Sequence, residues 1–231
     1  MNLNNKHISS TAVLLFAQSD KVESALKPIA SSKRQNDLLW HKLNQRVLQT
    51  VRKTKLPYFI SDENTQEGTN FGDKLSHAIE SVFNQGFKKV IVIGNDSPGL
   101  TSKIITEANE ELQKNNWVFG PDFKGGTYLI GVSKAKYDKS HFSKIDWHTN
   151  HVLEQLKTLS FEDYKALSLL SDFNTLADFN NILKGFSFFS SFINSLCSLL
   201  FYQHSLKSFF NEQYTYNILG FNFNKGSPAL V

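Results

Sequence analysis

The stretch IVIGNDSPGL, residues 91–100, decides the fold. Val90 to Ile93 form an unbroken apolar run rather than an alternating one. That is how a strand covered on both faces reads, as in a parallel sheet. Gly94 lets the chain turn, and Pro98 cannot continue an interior strand. Asp96 is therefore left on the rim, at the carboxyl end of a buried strand, where ligands bind in open α/β sheets. Two readings stay open. Either Asp96 holds a ligand, or Asp96 and Ser97 only make turn bonds while Thr101 caps the helix that follows.

Strand and helix signals alternate on both sides of this stretch. TAVLLFA (11–17), PYFIS (57–61), WVFG (117–120), GTYLIGV (126–132) and KALSLL (165–170) read as strands, with the central one at 88–94. Between them, 38–54, 71–86, 101–115, 148–159 and 175–185 carry helical spacing. Gly86 and Gly185 suit helix ends. This rhythm predicts a mostly parallel sheet with helices on both faces.

The chain has 231 residues, 40% hydrophobic and 20% charged, which is ordinary for a globular protein. The net charge of +4 is spread out rather than focused on one face, which argues against nucleic-acid binding. The single Cys197 excludes a disulfide framework and a cysteine metal cluster, and fits a reducing, cytoplasmic setting. The early apolar run, Ala12 to Ala17, is short and reads as a strand rather than a leader. From Gly185 to Gln203 no charged residue occurs. Serines and Asn194 recur among Phe192, Ile193, Leu196 and Leu200, so a packed amphipathic helix is expected, with homo-oligomer or membrane-surface contact through 185–203 as the alternative. The domain reading is 1–184 for the α/β unit and 185–231 for a Phe- and Ser-rich helical extension with a loose tail.

Two further stretches carry chemistry. In FGPDFKGGTYLIGV (119–132), Gly125 and Gly126 allow close approach of a ligand to the backbone, or simply form a hairpin turn. In LSLLSDFNTLADF (167–179), a strand again ends on a carboxylate, Asp172, and Thr175 with Asp178 has capping-box spacing. Two strand-end carboxylates, Asp96 and Asp172, could jointly hold a hard divalent cation through oxygen; each is also a common turn former.

Taken in order, these stretches resemble a bacterial glycosyltransferase-A-like family of unknown function, related to the molybdenum-cofactor and 2-phospholactate guanylyltransferases. The resemblance rests on Gly94-Asn95-Asp96-Ser97-Pro98-Gly99-Leu100, on GPDFKGGTYLIG, on WHTNHVL with Trp147 and Thr149, on DFNTLADF, and on QEGTNFGDKL with Gly68. It spans residues ~11 to ~184. It implies a Rossmann-like glycosyltransferase-A fold, that of the nucleotide-diphospho-sugar transferases, and a nucleotide or nucleotide-sugar ligand. It also implies Mg²⁺ or Mn²⁺ at positions matching Asp96 and Asp172. Nucleotide contacts are expected at Gly94, Asn95, Lys124, Gly125, Gly126 and Gly68.

The departures are as informative. The family's phosphate loop carries Lys-Thr-Arg where this chain has Glu23, Ser24 and Ala25, although Lys21 and Lys27 stand close by. Lys124 replaces an aspartate and Asn174 replaces another, which weakens a metal site. A lysine cannot ligate a cation while protonated, but it can contact phosphate directly. His148 and His151 are general-base candidates by type alone. The expected function is therefore glycosyl or nucleotidyl transfer from a nucleotide-activated donor. The alternative is a catalytically degenerate relative that binds or assembles.

Overall fold

The computed structural model describes residues 9–161, 163–185 and 191–200. Six strands form one sheet in the order β2-β1-β3-β5-β4-β6. They are β1 (Thr11–Phe16), β2 (Tyr58–Ser61), β3 (Lys89–Ile93), β4 (Trp117–Pro121), β5 (Thr127–Ser133) and β6 (Tyr164–Ala166). β1 pairs parallel with β2 and β3, and β4 with β6, whereas β5 runs antiparallel between β3 and β4. The mostly parallel expectation holds, and the exception is β5, antiparallel to both of its neighbours.

The interior strands send alternate residues to two separate cores, as the strand period requires. Ala12, Leu14, Val90, Val92, Trp117, Phe119, Ile130 and Val132 join one core with α3 (Phe71–Asn84), α5 (Lys139–Phe142) and α6 (Val152–Leu159). Val13, Leu15, Ile91, Ile93, Val118 and Leu129 face the other, under α2 (Lys33–Lys53) and α4 (Ser102–Leu112). Both faces of β3 are thus covered, which is why its sequence shows no polar alternation.

Sequence reading missed two short helices, α1 (Asp20–Leu26) and α5. Neither is long enough to display a repeating apolar stripe. The helix expected from 148 begins only at Val152; Thr149 instead closes a turn on the Asp146 carbonyl at 2.6 Å. β6 stops at Ala166 rather than 170, although Leu170 still bridges to Asp122.

The last elements are α7 (Leu176–Gly185) and α8 (Ser191–Leu200). Ile193, Leu196 and Leu200 of α8 join Phe173, Phe179, Ile182 and the first half of α2 (Leu39, Trp40, Leu43) in a third apolar cluster. Arg46 of α2 lies over the Phe192 ring at 4.2 Å and donates to the Pro98 carbonyl at 3.0 Å. The rest of the uncharged run, 186–190 and 201–203, and the tail expected after it lie outside the described residues. No helix among the described residues is long and apolar enough to cross a membrane.

Leu196 is fully buried in this third cluster. Leu196→Ala should cost about 2–5 kcal/mol in urea unfolding of the whole chain. Leu26→Ala, at a residue 68% exposed, should change stability by no more than about 0.5 kcal/mol. Equal effects would mean that α8 does not pack as described.

Candidate functional site

The parallel strands β1 and β3 lie side by side, and their chains leave in opposite directions along the sheet, β1 toward β2 and β3 toward the far edge. Such a switch point opens a crevice at the carboxyl ends of the strands. A cavity of about 720 Å³ occupies it, lined among others by Phe16, Gln18, Gly94, Asp96, Asp122 and Asp172.

The two carboxylate loops are tied together there. The Phe173 amide donates to the Asp96 carbonyl at 2.6 Å. The Ser97 hydroxyl donates to the Asp172 carboxylate. Thr101 caps α4 by accepting from the Ile104 amide, so Asp96 is free of that duty. Thr175 and Asp178 form the reciprocal box expected from their spacing, with bonds of 2.8 and 3.2 Å.

Lys27, at the end of α1, meets this acidic rim. Its ammonium is 3.0 Å from Asp96 Oδ2 and 3.7 Å from Glu23 Oε2. Burial works against its charge, but Asp96, Glu23 and Asp172 together hold its pKa above the usual lysine value. Glu23 is pushed up by burial and by Asp96, against the pull of Lys27. Burial, with Asp96 and Asp122 close by, raises the Asp172 carboxyl to about 8 in spite of the Ser97 hydrogen bond.

The hairpin between β4 and β5 supplies another part of the wall. Asp122 Oδ1 accepts from the Lys124 amide at 2.6 Å and the Gly126 amide at 2.9 Å. A Cβ on Gly126 would come within 2.4 Å of the Asp122 carboxylate, and one on Gly125, at φ +84°, would strike the Asn150 carbonyl at 2.1 Å. The glycine pair is thus needed both for the turn and to seat Asp122. The Lys124 ammonium pairs with Asp178 at 2.7 Å. Against the pull of burial, that contact, with bonds from the Asn174 amide and the Thr175 hydroxyl, holds the Asp178 carboxyl below its ordinary range.

The opposite wall is aromatic: Phe16, Phe71, Trp147 and His148. His148 adopts the left-handed region at φ +66°, a costly conformation for such a residue, with its ring 4.4 Å from Phe71. His151 lies outside the lining, exposed beside Glu154 at 3.8 Å.

Of the residues expected from sequence, Gly94, Asn95, Asp96, Lys124, Gly126, Asp172 and Asn174 line one cavity. Gly125, set against the Asn150 carbonyl, and Gly68, set against Asp73 at the foot of α3, are not in the lining. Asp122, Phe16 and Phe71 were missed as site residues, and Trp147 and His148 were named from sequence but not as parts of an aromatic wall. Asp122 has a sequence signal, a carboxylate directly after the Gly-Pro that ends a strand. The aromatic residues come from three places in the chain, Phe16, Phe71 and the adjacent Trp147 and His148, and no local pattern links the three.

Family comparison then connects the site to known proteins. Residues 41–149 match the family model described as "Uncharacterized protein conserved in bacteria (DUF2064)". The matched DUF2064 segment includes the Asp96 loop and the glycine hairpin; it excludes the diverged stretch 16–28 and Asp172. Among solved structures, a "putative nucleotide-diphospho-sugar transferase" from Desulfovibrio desulfuricans G20 aligns at TM-score 0.73 and 21% identity, covering 89% of this chain and 98% of that one. The fold is that of the nucleotide-diphospho-sugar transferases. More distant are a cytidylyltransferase from Leptospira borgpetersenii (TM-score 0.46, 10% identity, 93% and 100% covered) and Rv0371C of Mycobacterium tuberculosis in complex with manganese (0.47, 9%, 76% and 99%). At those scores they add nothing about this site. A search of curated proteins finds no match.

The divalent cation implied by the resemblance does not fit the residues as they stand. An ammonium is already on Asp96, a hydroxyl is on Asp172, and Lys124 replaces an acidic residue. No group of three or more His, Cys, Asp or Glu side chains suited to a metal occurs among the described residues.

Asp172 gives a pH signature. A carboxyl whose pKa is raised on folding favours the folded state most below its unfolded value, near 3.9, and that advantage fades as pH climbs to the folded value. Asp172→Asn mimics the protonated form. Its melting temperature should match wild type near pH 4, exceed it increasingly up to about pH 8, and differ by a constant amount above that. A pH-independent difference would show that Asp172 is not held protonated.

Proposed function

We propose that this chain binds a nucleotide-activated donor, a nucleoside triphosphate or a nucleotide-sugar, in the strand-end cavity and transfers a glycosyl or nucleotidyl group from it. The observation that carries this reading is the division of the cavity. One wall is aromatic and suits a flat base, and the other offers the Lys27 ammonium and the close-approach glycines Gly94 and Gly126 beside acidic side chains, which suits a phosphorylated chain. The fold shared with the Desulfovibrio protein supports the same ligand class by analogy. Gly94 and Asn95 would face the donor, and Gly126 would let it approach the hairpin. Asp96 and Asp122 shape the phosphate side. Asp172, held neutral, adds a hydrogen-bonding group there without adding charge. A resident divalent cation has no open ligand set in this arrangement, so no step is assigned to one.

A second reading has one specific observation in its favour. Both lysines that could meet phosphate are already paired with the protein's own carboxylates, Lys27 with Asp96 and Lys124 with Asp178. A catalytically degenerate relative that binds without turnover would tolerate that.

Thermal-shift screening against nucleoside triphosphates and nucleotide-sugars separates these outcomes. A true ligand at one hundred times its Kd should add about 2.7 kcal/mol. Stabilisation accompanied by release of pyrophosphate or nucleoside diphosphate in the presence of acceptors supports the transferase. Stabilisation without release across the acceptor panel supports the binding module. No shift with any nucleotide defeats both.

A further inference from the structure

We propose that Lys27 is the resident cation of this cavity, standing where a divalent ion would otherwise bridge the strand-end carboxylates to a diphosphate, so that such a ligand binds here without metal. The diphosphate part rests on the donor reading above; the cation part does not.

The lysine is held from both ends. Its carbonyl accepts from Asn36 Nδ2 at 3.0 Å and from the Trp40 indole N–H at 3.2 Å. Asn36 is itself buried, and its Oδ1 accepts from the Ile29 and Ala30 amides at 2.9 and 3.0 Å. The end of α1 is therefore fixed to α2 by side chains that a freely swinging loop would not need. The Lys27 ammonium then lies 5.2 Å from the centre of the Trp40 ring, within cation–π range. It comes to rest on Asp96 at 3.0 Å, with Glu23 at 3.7 Å.

An ammonium has three N–H donors; Asp96 takes one, Glu23 at 3.7 Å is an ion pair beyond hydrogen-bond reach, and donors are left for the cavity that Lys27 lines. Its side chain keeps 30% of its exposure there. Like charges a few ångströms apart repel near a protein surface, and a divalent ion doubles the repulsion that a monovalent one would feel. An ammonium on Asp96 and a divalent ion on the same carboxylate therefore exclude each other. The ammonium is tethered at the site and needs no binding from solution. Glu23, which replaces a cation of the related phosphate loops, gains a purpose in this arrangement as the second support of Lys27. Lys124 does not share the role, since Asp178 holds it at 2.7 Å.

The experiment compares the full-length wild type with Lys27→Met and Lys27→Arg, each checked for folding by circular dichroism. Mn²⁺ alone is titrated and followed by electron paramagnetic resonance. Lys27→Met should bind Mn²⁺ at least tenfold more tightly than wild type or Lys27→Arg, and adding Asp96→Asn should abolish the gain. Wild type binding Mn²⁺ as tightly as Lys27→Met overturns the proposal. Any nucleoside diphosphate that binds wild type should do so equally in EDTA and in Mn²⁺, whereas Lys27→Met should lose at least tenfold in EDTA and recover with Mn²⁺. A tenfold loss of wild-type affinity in EDTA overturns it as well. If no nucleotide binds any variant, the donor reading fails, and the Mn²⁺ comparison still decides the role of Lys27. If Lys27→Met does not fold, Lys27→Gln takes its place in the same comparison.

Discussion

The covering of β1 and β3 on both faces is the constraint on which the rest of the molecule depends. A strand that is apolar on both sides must be sandwiched between helices, and it can carry no functional side chain along its length without burying a polar group at a cost. Polar chemistry is therefore driven to the strand ends. Because β1 and β3 run parallel and their connections diverge, the ends that carry Gln18 and Asp96 face one crevice. The position of the site is thus a consequence of how the core is built.

What fills that crevice is set by charge. Asp96, Asp122 and Asp172 come from three separate loops; the Phe173–Asp96 backbone bond and the Ser97–Asp172 hydrogen bond tie two of them, and the Leu170–Asp122 bridge brings in the third. Such a cluster cannot ionise fully without a cation nearby. This chain relieves it in two ways, by the Lys27 ammonium on Asp96 and by a raised pKa at Asp172. The acidic rim, which by family resemblance suggests metal, is largely neutralised from within.

The third apolar cluster links this site to the C-terminal part of the chain. Trp40 both supports Lys27 and packs in the core that α8 completes. Arg46 joins the Pro98 turn to Phe192. The packed helix expected in the uncharged run is described as α8, and it packs against α2, whose Trp40 also bonds the Lys27 carbonyl.

The strands, most of the helices and the parallel sheet were legible in the sequence because their signals are local: unbroken apolar runs such as 90–93, helical spacing in 71–86, a capping box at Thr175 and Asp178. Gly94, Asp96, Gly126 and Asp172 were legible as rim positions for the same reason, since each sits at the end of a recognisable strand or turn; that they line one cavity comes from the fold. The seven-residue α1 was not, because so short a helix shows no periodicity. The aromatic wall, the seat of Asp122 and the partners of both lysines were decided only by tertiary structure. Lys27 meets Asp96 across 69 positions of sequence, and Lys124 meets Asp178 with β5, α5, α6 and β6 between them. Sequence by itself determined which residues stand on the rim of the sheet; only the folded chain decided which opposite charges meet there, because the energy of a charge pair depends on distance in space rather than along the chain.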